Sequence, residues 1–171
     1  MNDDVTEKGA KLVKWLKQRI DDRGLMADLR RGFNPDTEHK AWPYVADWCD
    51  LTRSRQRHVH MTVMAAFAYH PRHDESAGNL GRTLRKIAMV EGGKDGLASF
   101  ETRFRRLLVC DSLEELCRLL GPVIRAAAAK GVTINYVELF KDLTYWSSPV
   151  KLRWASGYWS SGKTDQGEEA A

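Results

Sequence analysis

Three basic side chains share one face of a predicted helix in the middle of the chain. Arg82, Arg85 and Lys86 fall within one sector about 100° wide on a helix, opposite the apolar positions of the same segment. No acidic residue lies three or four positions from any of them. An unneutralised group of this kind favours an anionic partner, although a merely solvated helix face remains the alternative.

A second basic group occurs about twenty residues later. Arg106 points away from the apolar stripe of its predicted helix, and Arg103 and Arg105 flank it on either side. A phosphate backbone is bound by cations spread in this way, because each neutralised phosphate releases condensed counterions. The alternative is that these arginines form ion pairs with Glu101 and other nearby acids.

Further cations occur at predicted helix ends and beside aromatic residues. Arg30 and Arg31 come where a short helix ends, so they could bind phosphate or compensate the helix dipole. Arg57 belongs to a basic stretch that opens an apolar helix. Lys151 and Arg153 lie among tryptophans and tyrosines that could stack on unpaired bases. Aromatic residues at helical spacing more often belong to a core or an interface.

Residues that perform catalysis or bind metals are sparse or poorly spaced. His58 and His60 would lie about 200° apart on a helix, so they cannot chelate one metal. His70 and His73 lie in a predicted loop, and their spacing could chelate a metal together with a neighbouring carboxylate. Two histidines at this spacing are only weak evidence for a metal site. The sequence contains no phosphate-binding loop or nucleophile-elbow motif. We therefore predict no enzymatic activity, no catalytic residue, no metal site and no cofactor.

The composition of the 171-residue chain indicates a globular, basic protein. Apolar residues make up 43%, which is enough for a buried core and argues against disorder throughout. The net charge is +4, and residues 23–159 alone carry 21 basic and 15 acidic side chains, a net charge of +6. No apolar stretch is long enough for a membrane span, and the polar N-terminus lacks a signal sequence. Three cysteines do not form a disulfide framework and are most simply reduced thiols. We therefore expect a cytoplasmic location, and the lack of a membrane span predicts no membrane association.

Helical periodicity extends along nearly the whole chain, and no strand pattern exceeds a few residues. We predict an all-α fold of two small helical bundles with eight or nine helices. The segment EGGKDG at 91–96 separates an N-terminal bundle, 1–95, from a C-terminal bundle, 96–160, and residues 161–171 are predicted to be a disordered tail. The predicted helices are 6–22, a short helix ending near 31, 43–51, 55–69, 80–90, 97–109, 113–129 with a kink or restart at 121–122, 134–146 and 149–159.

Several short motifs occur in an order that resembles a known family. The motifs are ADLRRG from residue 27, AWP from residue 41, NLGRTL from residue 79, FRRLL from residue 104 with Asp111 beyond it, and VKLRWA from residue 150 followed by Tyr158 and Trp159. Their order and spacing over roughly residues 10–160 resemble the CasB family, the small subunit of the type I-E CRISPR surveillance complex, Cascade.

The resemblance implies a non-catalytic subunit built from two helical bundles. It implies as partners the other Cascade subunits, CRISPR RNA, both strands of target DNA and a second copy of the same chain, with a role in stabilising the R-loop in antiviral defence. The matched cations expected to line the nucleic-acid path are Arg30, Arg31, Arg82, Arg105, Arg106, Lys151 and Arg153. The helix-face reasoning adds Arg57, Arg85, Lys86 and Arg103.

Two other functions remain open at this stage. A freestanding helical regulator would need a helix-turn-helix with base-reading side chains, and the best candidate helix, from residue 97, begins with the unsuitable sequence LASF. A protein-only adaptor would use the aromatic C-terminal helices as an interface and would have no affinity for anions. Affinity for DNA across a salt series separates these alternatives.

Overall fold

The computed structural model describes residues 2–160, and over these residues the chain is all-α. Eight α-helices follow one another, joined by turns and by short 3-10 segments at Arg31–Phe33, Glu38–Lys40 and Glu75–Ala77. The helices are α1 (Asn2–Lys17), α2 (Arg23–Arg30), α3 (Trp42–Val45), α4 (Ser54–Tyr69), α5 (Leu80–Leu108), α6 (Leu113–Lys130), α7 (Tyr136–Thr144) and α8 (Ser148–Trp159). The fold-class prediction is therefore confirmed.

Helix α4 lies at the centre of the molecule. Its residues 61–68 are all buried, as expected for a helix that is apolar almost all round. It packs against α2, α6 and α7, and α1 packs against α7. The hydroxyl of Tyr136 on α7 donates hydrogen bonds to the carbonyls of Ala66 and His70, which fixes α7 to the end of α4.

Helix α5 is interrupted where the sequence predicted a break. Gly92 and Gly93 have non-helical backbone angles, and Gly93 has a positive φ of 59°. A Cβ atom built on Gly96 would lie 2.0 Å from the carbonyl oxygen of Ala88, eight residues earlier. In a straight helix these groups would be about 12 Å apart along the axis, so the two halves of α5 fold back on each other.

The connection after α6 is held by backbone hydrogen bonds to a distant loop. Gly131, at φ 66°, ends α6 in the left-handed conformation, as predicted. The following residues then pair with the loop after α4: Ile134 donates to the carbonyl of Arg72, and Asp74 donates to the carbonyl of Ile134. This isolated bridge is the only β-type pairing that the structure records among residues 2–160.

Residues from both predicted bundles contribute to one cluster of buried side chains. Helices α1 and α4, from the first bundle, pack directly on α7, from the second. The division at residue 95 therefore stays a prediction rather than a visible boundary. The predicted tail at 161–171 lies outside the described residues.

Several predicted helix limits differ from the structure; α1 begins at Asn2 instead of residue 6, and α7 is shorter than predicted at both ends. Helix α1 ends at Lys17 instead of residue 22, because the chain turns there with Arg19 donating to the carbonyl of Leu16. Helix α3 is a single turn, after which Trp48 and Cys49 both donate to the carbonyl of Val45. Helix α6 continues through Pro122 without restarting.

Candidate nucleic-acid interface

The three cations predicted to share a helix face line one open groove. Arg82, Arg85 and Lys86 of α5 border a groove of about 540 Å³ together with Lys130 at the end of α6. We call it the basic groove. The remaining lining residues are Met89, Val90, Gly131, Val132, Thr133, Gly157 and Ser160. The groove therefore lies where α5, α8 and the α6–α7 connection meet.

The side chain of Asn79 positions the α5 wall of the basic groove. Its Oδ1 accepts a hydrogen bond from the backbone N–H of Arg82 at 3.2 Å, which caps α5. Its Nδ2 donates to the carbonyl of Arg153 on α8 at 3.1 Å. One asparagine thus starts the helix that carries the cations and attaches it to its neighbour.

The cations of the basic groove differ in how they are held. Arg85 is half-buried and donates from Nη1 to the carbonyl of Tyr158 at 2.7 Å, so part of its guanidinium serves the α5–α8 contact. Lys86 is exposed. Lys130 lies 3.9 Å from a carboxylate oxygen of Glu91, a long and solvent-exposed pair of small energetic value.

Sequence reasoning missed Lys130. The residue stands in the last turn of α6, just before the predicted end at Gly131, where a cation is expected to compensate the helix dipole. The helix dipole is a sufficient local reason for a lysine there, so the sequence did not indicate a role in binding. Only the packing of α6 beside α5 brings Lys130 to the other three cations.

A second groove lies between the latter half of α5 and α6, with a volume of about 270 Å³. We call it the α5–α6 groove. Arg103 and Arg106, two of the predicted cations, lie along it. Its other lining residues are apolar: Phe100, Leu107, Leu119, Pro122, Val123 and Ala126.

Arg105 does not join its two neighbours. Its guanidinium forms an ion pair with Glu101, at 2.6 Å from Nη2, and lies 5.0 Å from the ring centroid of Trp159. This ion pair is the alternative that the sequence left open. The contact with Trp159 places Arg105 beside α8, whereas Arg103 and Arg106 face α6.

The predicted cations in the first third of the chain are held differently again. Arg30 donates from Nε to the carbonyl of Ala68 at 2.9 Å, and Arg31 is exposed at the start of a 3-10 turn. Arg57 is half-buried and donates to the carbonyl of Leu51. Arg30 and Arg57 therefore fasten α4 to neighbouring segments.

Lys151 and Arg153 each lie beside a carboxylate that is distant in sequence. Lys151 Nζ is 2.6 Å from Oδ1 of the exposed Asp111, and this contact lowers the pKa of Asp111. Arg153 Nη2 lies 3.4 Å from Oδ1 of Asp142, whose side chain is fully buried. Burial raises the pKa of Asp142, although the indole of Trp154 donates a hydrogen bond to it at 2.8 Å.

The cysteine and histidine side chains that could act as metal ligands or nucleophiles were also located in the structure. Among residues 2–160 no group of three or more histidine, cysteine or acidic residues could hold a metal ion. Burial raises the pKa of the Cys117 thiol to about 11, and Cys110 is also buried with a raised pKa. His70 donates from Nε2 to the carbonyl of Val132 at 2.7 Å, inside the core. None of the helices formed by the described residues is long and apolar enough to cross a membrane.

The described chain is thus an all-helical protein in which five of the predicted cations, Arg82, Arg85, Lys86, Arg103 and Arg106, line two surface grooves. Residues 25–159 match the family model described as CRISPR-associated protein Cse2, so the chain belongs to the Cse2 family. The structure is also similar to the crystal structure of CasB from Thermus thermophilus, with a TM-score of 0.68 and 27% sequence identity over 90% of this chain and 98% of that one. No curated protein sequence matches the chain. The family membership supports a Cascade subunit of CRISPR defence.

Proposed function

We propose that this protein is a non-catalytic Cascade subunit that binds the nucleic-acid backbone through the basic groove and stabilises the R-loop. The observation that carries the proposal is the convergence of Lys130 with Arg82, Arg85 and Lys86 around one open groove, in a member of the Cse2 family. Arg31, exposed at the end of α2, is a further candidate contact.

The charge and shape of the groove suit a phosphate backbone rather than a small molecule. The groove is open, and its cations come from two helices, α5 and α6. Lysine and arginine side chains arranged in this way contact successive phosphates without reading base edges. A groove of this kind would bind strands of any sequence, as a strand-holding subunit requires.

Modest backbone contacts are sufficient for this role. The guide–target heteroduplex is about as stable as the DNA duplex that it replaces, so R-loop formation is nearly balanced. A few phosphate contacts to the displaced strand or to the heteroduplex can therefore shift the equilibrium. The proposal includes CRISPR RNA, both target strands, the other Cascade subunits and a second copy of this chain as partners, and a cytoplasmic location.

The test is fluorescence anisotropy of the full chain with short single- and double-stranded DNA across a salt series. We expect log K to fall with log salt by about 0.7–0.9 for each phosphate contact, with little dependence on sequence. The double variant Lys86→Glu, Lys130→Glu should lose affinity for all sequences alike. Lys14→Glu, Lys17→Glu is the matched control, because both lysines are exposed on α1 and lie outside the groove.

Each alternative function predicts a different result. Strong preference for one duplex sequence would favour a freestanding regulator. If the isolated chain does not bind DNA, the same variants are compared in the complex assembled with CRISPR RNA. Unchanged R-loop formation by the Lys86, Lys130 variant in that complex would favour the protein-only adaptor.

A further inference from the structure

The α5–α6 groove has a different chemistry from the basic groove. Its floor is formed by buried apolar side chains, among them Leu107 and Val123, and its α6 wall by half-buried Leu119 and Ala126. The parts of Leu119 and Ala126 that remain exposed can be covered by an apolar group, which is favourable by about 25 cal/mol for each Å² removed from water. A phosphate backbone offers no group that would gain this free energy.

The groove also has no open aromatic face on which a base could stack. Among residues 2–160, Phe100 is the only aromatic residue that lines it, and Phe100 is 3% exposed. The guanidinium of Arg103 lies 5.6 Å from the centroid of that ring. Single-stranded nucleic acids gain much of their sequence-tolerant affinity from stacking on exposed rings. An aliphatic occupant therefore fits the groove better than a nucleobase.

The two arginines at the α5–α6 groove are available to bind carboxylates of a partner. Among residues 2–160, neither Arg103 nor Arg106 lies within ion-pair distance of an acidic side chain, whereas neighbouring Arg105 is paired with Glu101. Two such guanidinium groups beside an apolar floor complement a segment whose apolar side chains alternate with acidic ones. Helical segments present their side chains in this pattern on one face.

We propose that the α5–α6 groove is a docking site for an acidic, leucine-type segment of a partner protein, with Arg103 and Arg106 binding its carboxylates and the apolar floor receiving its aliphatic side chains. This use of Arg103 and Arg106 replaces the nucleic-acid contact expected from the sequence. It does not depend on the function proposed for the basic groove, which is lined by other residues of α5 and α6.

The test measures two ligands on the same variants of the full chain. The protein probe is a fluorescein-labelled peptide in which pairs of leucines alternate with pairs of glutamates, and the nucleic-acid probe is single-stranded DNA. We expect the peptide to bind with a Kd of about 10–100 μM. Peptides with alanine in place of leucine, or lysine in place of glutamate, should bind at least about tenfold more weakly.

Two variants and one control locate the binding. Arg103→Glu, Arg106→Glu reverses the groove charge, and Ala126→Leu fills the groove while keeping both arginines. Each should weaken peptide binding about tenfold or more, and Ala126→Leu should leave the DNA affinity unchanged. Arg23→Glu is the control, since Arg23 is an exposed arginine on α2. Circular dichroism melts confirm that each variant is folded.

Three results would overturn the proposal. They are no peptide binding at about 1 mM, equal peptide affinity of the native chain and the two groove variants, or loss of DNA affinity in Ala126→Leu. The last result would assign the groove to nucleic acid. Failure of the basic-groove proposal would instead be seen in the Lys86, Lys130 variant, so the two outcomes are separable.

Discussion

The backbone of Gly81 lies directly against that of Trp154. A Cβ atom at position 81 would be 2.0 Å from the carbonyl oxygen of Trp154 and 2.7 Å from its carbonyl carbon. Neither of these is the end of a flexible side chain, so neither can move without moving α8. The close contact of α5 with α8 therefore depends on glycine at this position, and Arg82 follows immediately in the chain.

Gly81→Ala should destabilise the fold and disturb the basic groove. Overpacking of this kind costs about 1–3 kcal/mol, and each kcal/mol lowers the Tm of a chain of this size by about 2–4 °C. Thermal melts followed by circular dichroism measure the change. Gly24→Ala is the matched control, because that helical glycine is exposed and its Cβ would have only an ordinary contact with Asp22. Equal Tm values for the two variants would contradict the role given to Gly81.

Asp142→Asn should change how stability depends on pH. Burial raises the pKa of Asp142 in the folded chain, so the folded state holds this proton more tightly than the unfolded state does. The stability due to this group is complete below its unfolded pKa and is lost as pH rises through the higher folded value. Asparagine keeps an oxygen for the indole of Trp154 and does not ionise.

The Tm of Asp142→Asn relative to the native chain should therefore increase as the pH rises above about 4, the ordinary pKa of this carboxyl group. Melts at several pH values measure this difference, with the exposed Asp47→Asn as control. A constant difference across this range would show that Asp142 is not responsible for the effect.

Lys86→Ala and Lys151→Ala should affect DNA binding differently. Lys86 is exposed in the basic groove, whereas Lys151 is 19% exposed, contacts Asp111 and lies 5.6 Å from the ring centroid of Trp146. Removal of Lys86 should lower the salt slope by about 0.7–0.9, as expected for one lost phosphate contact. Removal of Lys151 should leave the slope unchanged. The opposite order in anisotropy titrations would move the nucleic-acid path to α8.

Cys49 should react with thiol reagents before the other two cysteines. Cys110 and Cys117 are buried, and Cys117 has a pKa of about 11, so it forms little thiolate near neutral pH. Cys49 is only half-buried, although burial also raises its pKa. A disulfide reagent should label one thiol in the native chain and all three in denaturant. If the Cys49→Ser variant still shows rapid labelling of one thiol, the reactive cysteine is not Cys49.

Local patterns predicted the helices and one side of the candidate site. The shared face of Arg82, Arg85 and Lys86 follows from helical geometry alone, and the structure places all three at one groove. The break at Gly92 and Gly93 also follows from local residue types, because glycine adopts backbone angles that end a helix.

Local sequence patterns could not predict contacts between side chains that are far apart in the chain. Lys151 and Asp111 are forty positions apart, and nothing in the residues around either one indicates that they meet. The same is true of the hydrogen bond from Arg85 to the carbonyl of Tyr158. Each contact changes how available a cation is to an outside anion, so a list of basic residues could not rank them.

The sequence alone determined the all-helical class, most helix positions, the basic character of the central region and the family. These properties depend on side-chain periodicity, capping residues and motif order, which act over a few residues. Only the tertiary structure decided that Lys130 joins the basic groove and that Arg103 and Arg106 lie beside an apolar floor. Those outcomes depend on which distant helices bury their apolar faces together, and that packing brings side chains together regardless of their separation along the chain.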